Sequence, residues 1–226
     1  MMQPARFEDR FDAGRRLAAP LARHRGSDAV VLALPRGGVP VAYEVARALG
    51  LPLDVYVVRK LGLPSQPELA MGAIAGSTRV LNEEVMRAGG VDEETLERVT
   101  ARETAELERQ EHAYRAGREP IQLDGRRAIL VDDGLATGST MLAAVRALRA
   151  EGASAVTAAV PVAPPPPCRS LAREADELVC LRTPTVFFSV GGWYEDFGET
   201  SDGQVRRLLE EASSARVSSE RPLRSA

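Results

Sequence analysis

The chain has 226 residues, 44% hydrophobic and 27% charged, which fits one domain with a sizeable core of its own. A formal net charge of −3 excludes a nucleic-acid binder that relies on a broad basic surface, although local basic pockets for phosphates stay allowed. Cys168 and Cys180 match no metal or redox spacing and are expected as reduced thiols.

The first residues, MMQPARFEDRFDAGRR, are charged and lack the apolar segment of a secretory signal. The longest apolar run, Ala155–Pro167, is too short and too rich in proline to span a bilayer. A cytoplasmic location is expected, with neither nucleic acid nor membrane as partner.

An amphipathic helix is predicted from Phe7 to about His24, with Phe7, Phe11, Leu17 and Leu21 on one face. His24 stands at its C-terminal end, where a cation favours the helix dipole. The run Ala29–Leu34 reads as a strand buried on both faces. Pro35-Arg36-Gly37-Gly38 follows, a turn whose glycines let the backbone approach a ligand, and then a helix from about Val41 to Leu49. A second strand, Leu53–Arg59, completes a right-handed βαβ unit.

Leu61–Gly76 reads as a loop leading to a short strand near Ala73–Ala75, with Arg79-Val80-Leu81 as its hairpin partner. A helical insertion is expected over about 83–117. Its main helix, from Asp92 to about Arg115, carries acids in its first turn and a thin stripe of Leu96, Val99, Leu107 and Tyr114. Glu94/Arg98 and Glu111/Arg115 are expected to pair at i,i+4 on its solvent side, where His112 also belongs.

Ala128–Thr140, AILVDDGLATGST, is the most informative stretch. A buried strand ends in Asp132 and Asp133, a loop of small and hydroxyl residues follows, and Met141–Leu148 continues as a helix. Backbone N–H groups at that helix start, with the hydroxyls of Thr137, Ser139 and Thr140, can surround a phosphate. Two carboxylates at a strand's end can accept from sugar hydroxyls or hold Mg²⁺. No lysine follows the glycine as in a P-loop, and the spacing is not GxGxxG.

Beyond it come a strand at Ala155–Val162, a short helix from Pro164–Pro167, a strand at Glu177–Leu181, and a strand-like Thr185–Val190. A final helix is predicted over roughly Ser201–Ala212, capped by Ser201 or Asp202. Residues 1–212 thus form one domain, and 213–226 are expected to be a disordered tail. Strands alternating with helices define an α/β fold with a mainly parallel central sheet, whose ligands bind outside the carboxyl ends of the strands.

VDDGLATGST closely resembles the phosphoribosyl diphosphate (PRPP) signature of the type I phosphoribosyltransferases. The resemblance covers the core from about Val30 to Val162. It implies the fold of that family, with a small hood built from the termini, and transfer of a 5-phosphoribosyl group from PRPP to a nitrogenous acceptor with Mg²⁺ as cofactor. Asp132 and Asp133 would then contact the ribose hydroxyls and Mg²⁺, the metal either directly or through its waters. Leu135, Ala136, Thr137, Gly138, Ser139 and Thr140 would cradle the 5′-phosphate. Pro35, Arg36, Gly37 and Gly38 would bind pyrophosphate, with a cis peptide expected at Arg36-Gly37.

Lys60 is the one lysine among 29 basic residues, and next to Arg59 it resembles the Arg-Lys pair with which some members of the family contact pyrophosphate. Leu61–Gly72 matches the place of the family's mobile catalytic loop, without the usual basic residue inside it; Glu68 there reads as an ordinary loop acid. The base-recognising hood has Phe187, Phe188, Trp193, Tyr194 and Phe197 as candidates, five of the chain's ten aromatic residues in one short window. Their packing the C-terminal region is an equally good reading of the same residues. A homodimer is allowed, the acceptor is not specified, and a PRPP- or nucleotide-sensing protein is the rival on the same fold. A metal phosphohydrolase would need further acids or histidines that the sequence does not offer.

Overall fold

The central sheet of the computed structural model has five parallel strands: β1 (Val30–Ala33), β2 (Leu53–Val55), β6 (Arg127–Val131), β7 (Ala155–Val162) and β8 (Glu177–Arg182). They lie side by side in the order β2-β1-β6-β7-β8. The structure describes residues 6–76 and 78–220, and leaves the side chains of 67–68 and 216–220 undescribed. The continuous apolar runs of the strands follow from burial on both faces. Val31, Ala33, Ile129 and Val131 face one core, Val30, Leu32, Ala128 and Leu130 the other, as the twofold period of a strand requires. The predicted α/β architecture is present, and no helix among the described residues is long and apolar enough to cross a membrane.

Helix α1 (Arg10–Ala18) is shorter than the predicted Phe7–His24. Asp9 caps it by accepting from Asp12 N–H at 2.7 Å, and Pro20, which has no N–H, stops it; a single 3₁₀ turn at Ala22–His24 follows. Phe7 lies outside the helix and forms a parallel bridge with Tyr194. Helix α2 (Gly38–Leu49) starts three residues before its predicted Val41, with Pro40 accommodated in its first turn, and ends on left-handed Gly50.

The predicted strand Leu53–Arg59 is two strands in two sheets. Tyr56 N–H makes the last bond to β1, at Ala33 O, because β1 ends there. With no ladder left, the chain turns into a separate antiparallel sheet of β3 (Val58–Leu63), β4 (Gln66–Ala75) and β5 (Thr78–Leu81). The expected loop at Leu61–Gly76 is therefore a hairpin turning at Pro64-Ser65, held by the buried Leu61, Leu63 and Met71. The expected pairing of Ala73–Ala75 with Arg79–Leu81 is present.

Helices α3 (Glu83–Ala88) and α4 (Glu93–Arg115) make the insertion, capped by Asn82 and Asp92. The stripe Leu96, Val99, Leu107 and Tyr114 is buried, and His112 is exposed, as expected. Arg115 is not on the solvent side. It pairs with Glu111 at 3.1 Å, but it is buried against β2, binding Asp54 at 3.2 Å and Val55 O at 3.0 Å. Arg98 bonds Thr95 Oγ1 at 3.4 Å, the neighbour of the expected Glu94.

Helices α5 (Ser139–Ala150) and α6 (Pro165–Glu174) cover one face of the sheet. Thr185–Val190 forms no strand; it leads as irregular chain into a 3₁₀ turn at Gly191–Trp193. Helix α7 (Asp202–Glu220) runs past the predicted end at Ala212 into the segment expected to be disordered, and residues 221–226 lie outside the described ones. Ser201 caps α7 by accepting from Gln204 N–H at 3.2 Å.

Helices α1 and α2 touch through Gly14, where an added Cβ would lie 2.5 Å from Val41 O and 2.8 Å from Glu44 Cβ. Gly→Ala gains about 0.5–1 kcal/mol at an open helix position. Here overpacking against a backbone carbonyl costs about 1–3 kcal/mol and outweighs it. Gly14→Ala is expected to lower the urea unfolding midpoint; an unchanged or higher midpoint would show that the two helices separate freely.

Candidate functional site

Strands β1 and β6 are neighbours, so the loops at their carboxyl ends meet. A Cβ on Gly37 would lie 2.1 Å from Asp133 Oδ2, and one on Gly38 2.7 Å from Val131 O. Only glycine lets the Pro35–Gly38 loop rest on the acidic pair. The cis peptide in this loop is Pro35–Arg36, one residue before the expected Arg36-Gly37. Arg36 reaches the C-terminal segment, with Nη2 2.7 Å from Glu199 Oε1 and Nη1 3.5 Å from Asp202 Oδ1.

Asp132 and Asp133 sit side by side, half-buried at the end of β6. Asp133 N–H donates to Asp132 Oδ1 at 2.8 Å. Burial lifts the Asp132 carboxyl well above the usual carboxylate range, and the charge of Asp133 adds to the rise. Burial also lifts Asp133, against the opposing pull of Arg10, whose Nε lies 2.8 Å from Asp133 Oδ2. Arg10 is fixed from two further sides: Nη1 donates to Gly198 O at 2.6 Å, and its guanidinium carbon stands 3.8 Å over the Phe197 ring. Tyr194 completes the enclosure, donating its hydroxyl to Asp133 O. Burial, then the Asp133 charge, pushes that hydroxyl's pKa upward.

The rest of the motif forms the start of α5. Leu135 is buried and its N–H donates to Val162 O, while Gly138 takes a left-handed conformation, φ +76°, to start α5. Ala136, Thr137, Ser139 and Thr140 are exposed at that N-terminus, with Thr137 Oγ1 3.0 Å from Ser139 Oγ. First-turn N–H groups, hydroxyls and the helix dipole together suit a phosphate.

Arg59 and Lys60 do not stand at the end of a central strand, as expected; they lie within β3 of the hairpin. Both line a cleft of about 660 Å³ with Ser139 and Thr140. Arg59 grips α4, with Nε and Nη2 3.0 and 2.7 Å from Glu103 Oε2, and Arg102 takes the other oxygen. The side chain of Glu68 lies outside the described residues.

Of the hood candidates, Tyr194 is 2% exposed and packed between Phe7 and Phe197, with ring centroids at 5.4 and 5.1 Å, so it anchors the segment and offers no face to a ligand. Phe187 and Trp193 are half-buried. Phe197 carries Arg10, and Phe188 is 95% exposed.

No cluster of three His, Cys, Asp or Glu side chains suited to a metal occurs among the described residues. Two adjacent carboxylates still fit Mg²⁺, which is commonly held by one or two carboxylates, water and substrate phosphates. Sequence reasoning missed Arg10, Glu199 and the hydroxyl of Tyr194, because their partners lie far along the chain and leave no local pattern.

A mainly parallel sheet with an acid pair, a hydroxyl-lined helix start and a glycine loop at adjoining strand ends fits the type I phosphoribosyltransferase fold. The phosphoribosyl transferase domain model matches residues 6–196, and the chain belongs to that family. It is similar to "Putative phosphoribosyl transferase Rv0571c" of Mycobacterium tuberculosis strain H37Rv, 51% identical over 207 residues that cover 91% of this chain and 47% of that protein. A second protein so named, MT0597 of M. tuberculosis strain CDC 1551, matches with the same identity and coverage. The chain thus spans about half the length of these curated relatives. Among solved structures, TT1426 from Thermus thermophilus aligns with a TM-score of 0.81 at 45% identity, covering 91% of this chain and 98% of that one.

Burial raises the Glu103 pKa, but hydrogen bonds from Arg59 and Arg102 outweigh it and hold the carboxyl below the usual range. A depressed folded-state pKa contributes stability above the unfolded value, about 4.3, that is lost as pH falls through the folded one. Glu103→Gln is therefore expected to cost about 1–2 kcal/mol at pH 7 and progressively less below about pH 4. Urea midpoints at the two pH values check this, and a penalty that grows on acidification would contradict it.

Proposed function

We propose that this chain transfers a 5-phosphoribosyl group from PRPP, with Mg²⁺, to a nitrogenous acceptor and releases pyrophosphate. The observation that carries the reading is the meeting of three parts: the Gly37-Gly38 loop rests on Asp132-Asp133, and the same strand end leads into the α5 cradle.

In this reading the N–H groups and hydroxyls of Thr137–Thr140 bind the 5′-phosphate, and Asp132 and Asp133 accept from the ribose hydroxyls. The start of α2 receives the pyrophosphate. A carbohydrate fixed at both ends presents C1 to the acceptor in one orientation, and the carboxylates below the ring favour the positive charge that develops as the C1–O bond breaks. When bound, Mg²⁺ neutralises charge on the departing pyrophosphate. The acceptor nitrogen then takes C1, and its ring has exposed Phe188 as a stacking partner. A cytoplasmic location belongs to the same proposal.

A sensor that binds PRPP without turnover is favoured by one observation: Arg36 and Arg59 are both engaged with carboxylates of the chain itself. Calorimetry with PRPP and Mg²⁺ is expected to show binding that Asp132→Asn/Asp133→Asn removes; unchanged affinity in the double variant would sink the assignment. Pyrophosphate release on adding a panel of bases is expected for the enzyme, and its absence with every base would favour the sensor.

A further inference from the structure

Arg10 lies in no part of the PRPP motif and 123 residues from Asp133, yet its guanidinium stands at the centre of the site. Its Nε is 2.8 Å from Asp133 Oδ2 and would be 3.4 Å from a Cβ on Gly37. It therefore occupies the seam between the acid pair and the Pro35–Gly38 loop. In that loop the N–H groups of Gly38 and Val39 close onto Leu34 O and Arg36 O, so the turn itself is held before any ligand arrives.

We propose that Arg10 binds the pyrophosphate of the donor, its guanidinium bridging Asp133 and the phosphate oxygens. This rests on the reading of the site as a PRPP site. Three arguments support it. Arg36, the loop's own cation, is paired with Glu199 and Asp202, which leaves Arg10 as the guanidinium set against both the loop and the acids. The Nε and Nη1 bonds to Asp133 and Gly198 use two of the five N–H groups of a planar fork, and the remainder suit phosphate oxygens. Stacking on Phe197 fixes the plane of that fork before ligand arrives, so little side-chain entropy is lost on binding. Electrostatics point the same way: a polyphosphate beside two carboxylates needs a cation between them.

The test separates binding from mere support of Asp133. Wild type, Arg10→Ala and Arg10→Lys are titrated calorimetrically with PRPP, inorganic pyrophosphate and ribose 5-phosphate, each with Mg²⁺, and their folding is checked by thermal melts. Arg10→Ala is expected to weaken PRPP and pyrophosphate roughly 10- to 100-fold, with ribose 5-phosphate changed less than about threefold. Arg10→Lys, which keeps the charge without the fork, is expected to fall between and remains the reading if the alanine variant does not fold. Equal loss of all three ligands would show that Arg10 acts only through Asp133 and would overturn the proposal, as would no loss of pyrophosphate. Wild type titrated alongside separates the two failures. If it binds PRPP and the variants bind pyrophosphate as well as it does, this proposal alone falls; if it binds none of the three ligands, the donor-site reading falls and this proposal with it.

Discussion

The backbone of Gly37-Gly38 lies directly against the side chains of Asp132 and Asp133, and the rest of the site is built around that approach. It exists because β1 and β6 are hydrogen-bonded neighbours whose carboxyl ends coincide, Ala33 opposite Val131. Any side chain at residue 37 would collide with the Asp133 carboxylate. The contact brings together two elements of opposite character, a helix start that favours anions and a pair of acids lifted by burial. A ligand carrying both hydroxyls and phosphates reconciles them, and PRPP, the proposed donor, carries both.

Helix α1 and the segment after β8 close over that contact. Helix α1 supplies Arg10, and the segment after β8 supplies Tyr194, Phe197, Gly198 and Glu199. The two are joined by backbone bonds: Phe7 N–H to Trp193 O at 2.9 Å and Glu195 N–H to Phe7 O at 2.8 Å. The position of Arg10 depends in turn on the close packing of α1 and α2 at Gly14. On the other side of the site the β3–β4 hairpin carries Lys60 beside Ser139 and Thr140, and Arg59 ties it to α4 through Glu103. The insertion thus braces the hairpin, which gives that long, polar helix a role in shaping the cleft.

The order of the core was legible because its signals are local. Continuous apolar runs mark β1, β6 and β7, and the acid-to-hydroxyl transition at Asp132–Thr140 marks a strand end feeding a helix start. Where the outcome depended on partners far along the chain, local reading failed. Leu53–Arg59 has the composition of one strand, but β1 is too short to pair with all of it, so Arg59 and Lys60 belong to a different sheet. Tyr194 has the composition of a stacking residue, but Phe7, distant in sequence, covers it. Pro20 was a legible stop inside the apolar face of the first helix, whose pattern continues on both sides of it. Arg10 could not be found from its surroundings, since its value comes from Asp133, Phe197 and Gly198.

In the proposed function, the acid pair, the glycine loop and the start of α5 form one donor site. A crystal structure with Mg²⁺ and PRPP tests it most directly. The 5′-phosphate is expected on the N–H groups of Ser139 and Thr140, the ribose hydroxyls on Asp132 and Asp133, and the pyrophosphate at Arg36-Gly37. A 5′-phosphate bound elsewhere, with Asp132 and Asp133 free of the ribose, would contradict it.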